Sequence, residues 1–201
     1  MGNPETTEMP RRNKGFDATH RAMIDTAVRL VSEKGAEAIS VAAIAREMGI
    51  NRTTVYYHFP SREALIDAAK DWASEQLALG MDVGVTQPER IAQISRFVLE
   101  NPELIKLWID DFVSGDDIRH SYKRWDDIVA GLSARFAERF PDSDFDAEVY
   151  CVMMLSAAII GPRILSRSVS PGDSIDRIVE RFTREHQRTL ERDGLIQRDS
   201  G

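Results

Sequence analysis

Apolar residues recur three and four positions apart through most of the chain, the spacing of amphipathic helices. Met23, Ala27, Leu30 and Val31 form the inward stripe of a first helix expected over 17–34, with Asp17 as its cap and Gly35 at its end. Val41, Ile44, Ala45 and Met48 then fall on one face of a short helix. Ser40 stands just before it as an N-cap and Gly49 just after it as a left-handed C-terminal residue. Asn51 caps a second short helix that ends by Phe59, because Pro60 biases its predecessor away from helical geometry. Two short helices joined by a glycine turn read as a helix-turn-helix. Ser61 begins a fourth helix whose Ala64, Leu65, Ala68, Ala69 and Trp72 run towards Leu79.

Beyond the loop over 80–88 the same spacing predicts helices over 88–100, 102–113, 117–140, 146–168 and 172–193. Asn101-Pro102 reads as a cap followed by proline at the first helical position. Ile118, Tyr122, Trp125, Val129, Leu132 and Phe136 make one narrow seam along the 117–140 helix. Val149 through Ile160 is apolar almost all round, so this helix needs burial on two sides. Pro162 removes a backbone donor and should kink or interrupt it. The fold class is therefore all-α, about nine helices. The expected organisation is a basic, disordered arm (1–15), a three-helix helix-turn-helix domain (16–60), a linking helix (61–80) and a helical ligand-binding and dimerisation domain (81–201).

The second short helix shows what the helix-turn-helix is for. Val55 and Phe59, four apart, anchor one side in a core, while Arg52, Thr53, Thr54, Tyr56 and Tyr57 are left for the other. A guanidinium, hydroxyls and aromatic edges presented together suit phosphates and base edges in a DNA major groove. The net charge of −7 argues against a nucleic-acid partner until the chain is divided. Residues 1–70 carry a net +1 and residues 71–201 a net −8, so the acidity lies outside the reading domain. Arg11, Arg12 and Lys14 precede the first helix as a flexible arm suited to a neighbouring groove.

Residues 43 to 65, Ala-Ile-Ala-Arg-Glu-Met-Gly-Ile-Asn-Arg-Thr-Thr-Val-Tyr-Tyr-His-Phe-Pro-Ser-Arg-Glu-Ala-Leu, resemble the signature of the TetR family of bacterial transcriptional regulators. Arg62 stands where the family usually has lysine. The resemblance covers roughly residues 17 to 65; the rest agrees in helix layout and length. It implies that the fourth helix is the lever between ligand and DNA, that the protein is cytoplasmic, and that a small molecule binds among the C-terminal helices. Groove contacts are then expected from Arg52, Thr53, Thr54 and Tyr57, with Ser40, Tyr56, His58 and Arg62 on phosphates or positioning the helix.

Converging aromatic and methionine side chains suit an apolar cavity, and Trp108, Phe112, Tyr122, Trp125, Tyr150, Met153 and Met154 are its expected lining. Asp111, Arg119 or His120 would supply a polar contact. The all-apolar helix and the last helix are the natural interface of a homodimer, with Ser156, Ala157, Ile160, Ile178 and Phe182 at the contact and the small residues through Gly161 permitting close approach. Catalytic chemistry finds no support. The four histidines are scattered, no His-Glu-x-x-His pair or glycine-rich phosphate loop occurs, and Cys151 lies in an apolar run. One cysteine excludes an intrachain disulfide. No membrane span, metal or cofactor is expected. The reading is a ligand-responsive regulator, a repressor released from a palindromic operator by an apolar or aromatic effector and not an enzyme. The alternative is a helical ligand-binding or interaction module that kept the scaffold without operator-specific binding.

Overall fold

A computed structural model of the chain describes residues 14–79, 86–115, 117–121 and 124–196. Residues 1–13 of the basic arm and most of the 80–88 loop lie outside the described residues; Lys14 and Gly15, expected in the arm, open the first helix, so Asp17 stands in its first turn and does not precede it as a cap. All regular structure among the described residues is helical, and the chain divides after Ala69 into two compact units.

In the first unit α1 (Lys14–Lys34) leads through a 3₁₀ turn (Ala36–Ala38) into α2 (Val41–Met48), α3 (Arg52–His58) and the start of α4 (Arg62–Leu79). Ser40 caps α2 by accepting from the Ala43 amide at 3.0 Å, and Asn51 caps α3 by accepting from Thr53 at 3.0 Å. Between them Gly49 holds φ +65°, a left-handed conformation that costs glycine little and any other residue more. Met23, Leu30, Val31, Ile39, Ile44, Val55, Phe59 and Leu65 are all buried. Each such side chain contributes roughly 1.5–3 kcal/mol by leaving water. Across the surface Arg29 donates to Glu47 at 2.9 Å, tying α1 to α2, and that bond holds the Glu47 carboxyl below the usual carboxylate range.

The second unit holds α5 (Gln87–Glu100), α6 (Pro102–Ser114), α7 (Ile118–Ser121), α8 (Trp125–Arg139), α9 (Ala147–Ile164) and α10 (Ile175–Arg192). α10 and α9 both lie along α5, and α8 packs on α9. Leu77, Val98, Ile105, Trp108 and Ile159 form one buried cluster; Trp125 and Cys151 form a second. Thr86 and Glu89 close a reciprocal capping box at the start of α5.

Several expectations are corrected here. The helix expected over 117–140 is two helices: Arg124, in a turn, precedes Trp125 at the start of α8. A seam of apolar residues spaced for one helix cannot reveal the break, since both pieces keep the same inward side. Asn101 does not cap α6 with its side chain; its Nδ2 donates backwards to the Phe97 carbonyl at the end of α5. Pro162 does not interrupt α9, which continues to Ile164 and then widens into a π-helical turn, Leu165–Val169. The stretch Ala147–Val169 is, by length and composition, long and apolar enough to cross a membrane, contrary to the sequence expectation. Its Ala147, Cys151, Ile159 and Pro162 are buried, while most of the apolar window is left uncovered within this chain.

Candidate nucleic-acid interface and ligand cavity

At about 100° per residue, α3 turns Val55 into the core and Arg52, Thr53, Tyr56 and Tyr57 away from it. Tyr56 is 55% exposed and Tyr57 is 76% exposed, unusual for large aromatic groups on a small domain. Thr54 is half-buried at the flank. Tyr57 stands edge-on to Phe16 of α1, ring centres 5.6 Å apart, so its ring is braced although its hydroxyl faces solvent. The exposed set offers donors and acceptors of the kinds that read phosphates and base edges.

Three residues expected on phosphates or positioning the helix are engaged inside the unit. His58 turns inward, half-buried, and stacks on Phe16 at 4.2 Å between ring centres, with the His20 ring 5.5 Å away. His20 in turn stacks on Phe59 at 4.5 Å. Desolvation, with His20 nearby, pushes the His58 imidazole below its ordinary value, so it is neutral near pH 7. Arg62 is likewise diverted, donating through Nε to the Ile39 carbonyl and through Nη2 to the Ala36 carbonyl, both at 3.0 Å. Its guanidinium therefore fastens the turn before α2. Ser40 is occupied as the α2 cap, its oxygen already accepting from Ala43. Sequence reasoning missed the brace formed by Phe16 and His20; their spacing of four, at the start of an amphipathic helix, was the available signal.

In the second unit a cavity of about 390 Å³ lies among α5, α8, α9 and α10, lined by Trp108, Trp125, Tyr150 and Met154 of the expected set. Leu155, Ile159, Leu132 and Ile91 add hydrocarbon, and Arg90, Asp127, Arg135 and His186 supply the charged and titratable groups. Tyr150 donates to Asp193 at 2.9 Å, and burial first, then this bond, raises its hydroxyl above the usual range. A second cavity of about 540 Å³ shares Trp108, Trp125, Leu155 and Ile159 as a wall and opens beside Arg119, which is paired with Asp117, Asp126 and Glu148. Met153 lines neither cavity: one residue before Met154, it is turned about 100° round α9 and is 57% exposed. Of the remaining expected lining and polar residues, the side chains of Phe112, Asp111 and His120 and the whole of Tyr122 lie outside the described residues. No cluster of three or more metal-ligating side chains occurs among the described residues.

The expected dimer face is partly redrawn. Ile178 is fully buried within its own chain and cannot meet a second copy. Phe182 is half-buried against Gly161, where a Cβ would come within 2.6 Å of its ring, so that small residue serves a contact inside the chain. Ser156 and Ile160 do face outward, in line with exposed Val149, Met153 and Ile164 along α9, with Ala157 half-buried beside them.

Comparison with known proteins agrees with this geometry. Residues 23–69 match the model of the family described as bacterial regulatory proteins, tetR family. The HTH-type transcriptional regulator BetI of Brucella abortus is 28% identical over 113 residues, 49% of this chain and 56% of its own length. The nucleoid occlusion factor SlmA of Marinobacter nauticus is 30% identical over 96 residues, 44% of this chain and 49% of its own. The chain thus spans about half the length of the curated relatives it matches. A protein of Saccharomonospora viridis, described as a transcriptional regulator and solved in complex with choline, shares the fold with a TM-score of 0.55 at 19% identity, over 87% of this chain and 96% of that one. The first unit thus carries the match to the model described as bacterial regulatory proteins, tetR family, over residues 23–69, and the all-helical fold is shared with that solved structure over 87% of this chain.

Proposed function

We propose that this protein is a homodimeric transcriptional regulator that binds a palindromic operator through α3 and is released from it by a small effector held in the second unit. The observation that carries the reading is the outward face of α3, where Arg52, Thr53, Tyr56 and Tyr57 stand exposed together above the buried Val55. Such a face is well matched to a major groove, whose donor and acceptor pattern is distinct for every base pair. Two copies related by a two-fold axis present two such faces, so half-sites spaced by about one helical turn or more are expected. The outward stripe of α9, from Val149 through Met153 and Ile160 to Ile164, is the surface on which the second copy is placed in this reading. The effector acts by binding two arrangements of the dimer with different affinity, since a ligand indifferent to them shifts nothing.

The test is a gel-shift on DNA flanking the gene for this protein, against scrambled competitor. Specific retention that weakens steeply with salt is expected. Arg52→Ala should cost roughly 1–3 kcal/mol at the cognate site if it reads a base. Equal affinity for flanking and scrambled DNA at every salt concentration would refute operator reading.

A further inference from the structure

We propose that the cavity of about 390 Å³ accepts an amphipathic monocarboxylate, an apolar chain or ring carrying a single carboxylate that pairs with Arg135. The inference rests on the effector reading above and gives that effector a chemical class.

Apart from the Gln87 carboxamide, the cavity lining has little to offer a polar ligand. Trp108 Nε1 already donates to Ser74 Oγ at 3.0 Å, and Trp125 Nε1 to Glu148 Oε1 at 3.3 Å. The Tyr150 hydroxyl donates to Asp193. Burial keeps the Cys151 thiol protonated, and desolvation keeps His186 neutral near pH 7. The indoles therefore present ring faces and edges, and with Ile91, Leu132 and Leu155 they make a wall for hydrocarbon. A polyhydroxylated molecule would lose its water hydrogen bonds there without replacement.

The charged groups of the lining decide the head group. Of the charged lining groups Arg90 already has a partner, and Asp127 sits in the first turn of α8, where the helix N-terminus favours its negative charge. Arg135 lies two turns further along α8, exposed, with no hydrogen bond or ion pair among the described residues. A guanidinium in that position takes a carboxylate through two parallel hydrogen bonds. A cationic ligand would instead have to enter beside that guanidinium.

The experiment titrates the full chain with sodium decanoate, decan-1-ol and decyltrimethylammonium bromide, each below its aggregation range, by calorimetry and tryptophan fluorescence. Trp108 and Trp125 line the cavity and serve as reporters. Decanoate should bind about tenfold or more tightly than either neutral or cationic analogue. Arg135→Ala should weaken decanoate about tenfold and leave decan-1-ol unchanged, and Arg135→Glu should turn the preference towards the ammonium. Equal or tighter binding of decan-1-ol or the ammonium to the unaltered protein overturns the proposal, as does an Arg135→Ala variant with undiminished decanoate affinity. A gel-shift run in parallel separates the two readings. Decanoate binding with an intact operator complex supports the ligand class and refutes the effector role. Release by the ammonium alone overturns the carboxylate and leaves the effector role standing.

Discussion

Replacing Arg62 separates a structural role from a DNA contact. Its guanidinium makes two hydrogen bonds at 3.0 Å, to the carbonyls of Ala36 and Ile39, which bracket the 3₁₀ turn leading into α2. A hydrogen bond from a charged donor contributes about 1.5–3 kcal/mol when buried. The Arg62 side chain is 36% exposed, so about 1 kcal/mol for each bond is the appropriate scale. The ion pair to Glu37 adds little, because that carboxylate is 99% exposed. Arg62→Ala should therefore destabilise the first unit by about 2 kcal/mol, and Arg62→Lys by about half of that, since an ammonium cannot span both carbonyls as a planar fork does. Urea unfolding followed by circular dichroism measures the loss. The three tryptophans, at 72, 108 and 125, all lie beyond Ala69, so their fluorescence reports the second unit separately. The slope of log affinity for operator DNA against log salt should stay unchanged. A slope reduced by about one, with an unchanged urea midpoint, would make Arg62 a phosphate ligand and refute the reasoning.

Gly161→Ala should cost about 1–3 kcal/mol, because the new Cβ would stand 2.6 Å from the Phe182 ring, and an unchanged thermal midpoint would contradict the close contact. Met153→Glu and Ile160→Glu place charge on the outward stripe of α9 without touching the core, and each should shift sedimentation from dimer towards monomer while helicity is retained. Stability should also depend on pH through His58 and His186, both depressed mainly by desolvation in the folded chain. An unfolded imidazole titrates near 6.5, so the unfolded state takes up more protons as pH falls. Their contribution is fully present above about pH 6.5 and is lost as pH drops through the lower folded values. Urea midpoints at pH 7.5 and 5.5 measure this, His58→Phe should flatten the dependence, and a midpoint that rises on acidification would refute it.

Local chemistry was legible wherever it acts over a few residues. Ser40, Gly49, Asn51 and Pro60 mark the ends of α2 and α3 because caps, left-handed turns and proline sterics are set by neighbours in the chain. Val55 inward and Tyr56 and Tyr57 outward follow from helical period alone. The tryptophan-lined cavity was legible for a related reason: large aromatic groups on successive helices of an all-α unit converge somewhere in its interior.

Where a side chain is finally used depends on partners distant in sequence, and periodicity is blind to them. His58 and Arg62 carry the right chemistry for phosphates, yet Phe16 and His20 claim the first, and carbonyls 23 and 26 residues away claim the second. Ile178 and Phe182 sit on one apolar stripe that could equally have faced a second copy, until α5 and Gly161 of the same chain covered them. A stripe announces that it must be buried, not by what. The sequence by itself therefore determined the ends of α2 and α3 and which face of α3 is left exposed. The tertiary structure alone decided which polar groups are spent inside the chain, because a hydrogen bond or a packed ring made at a distance removes a group from the surface without leaving a mark in its own neighbourhood.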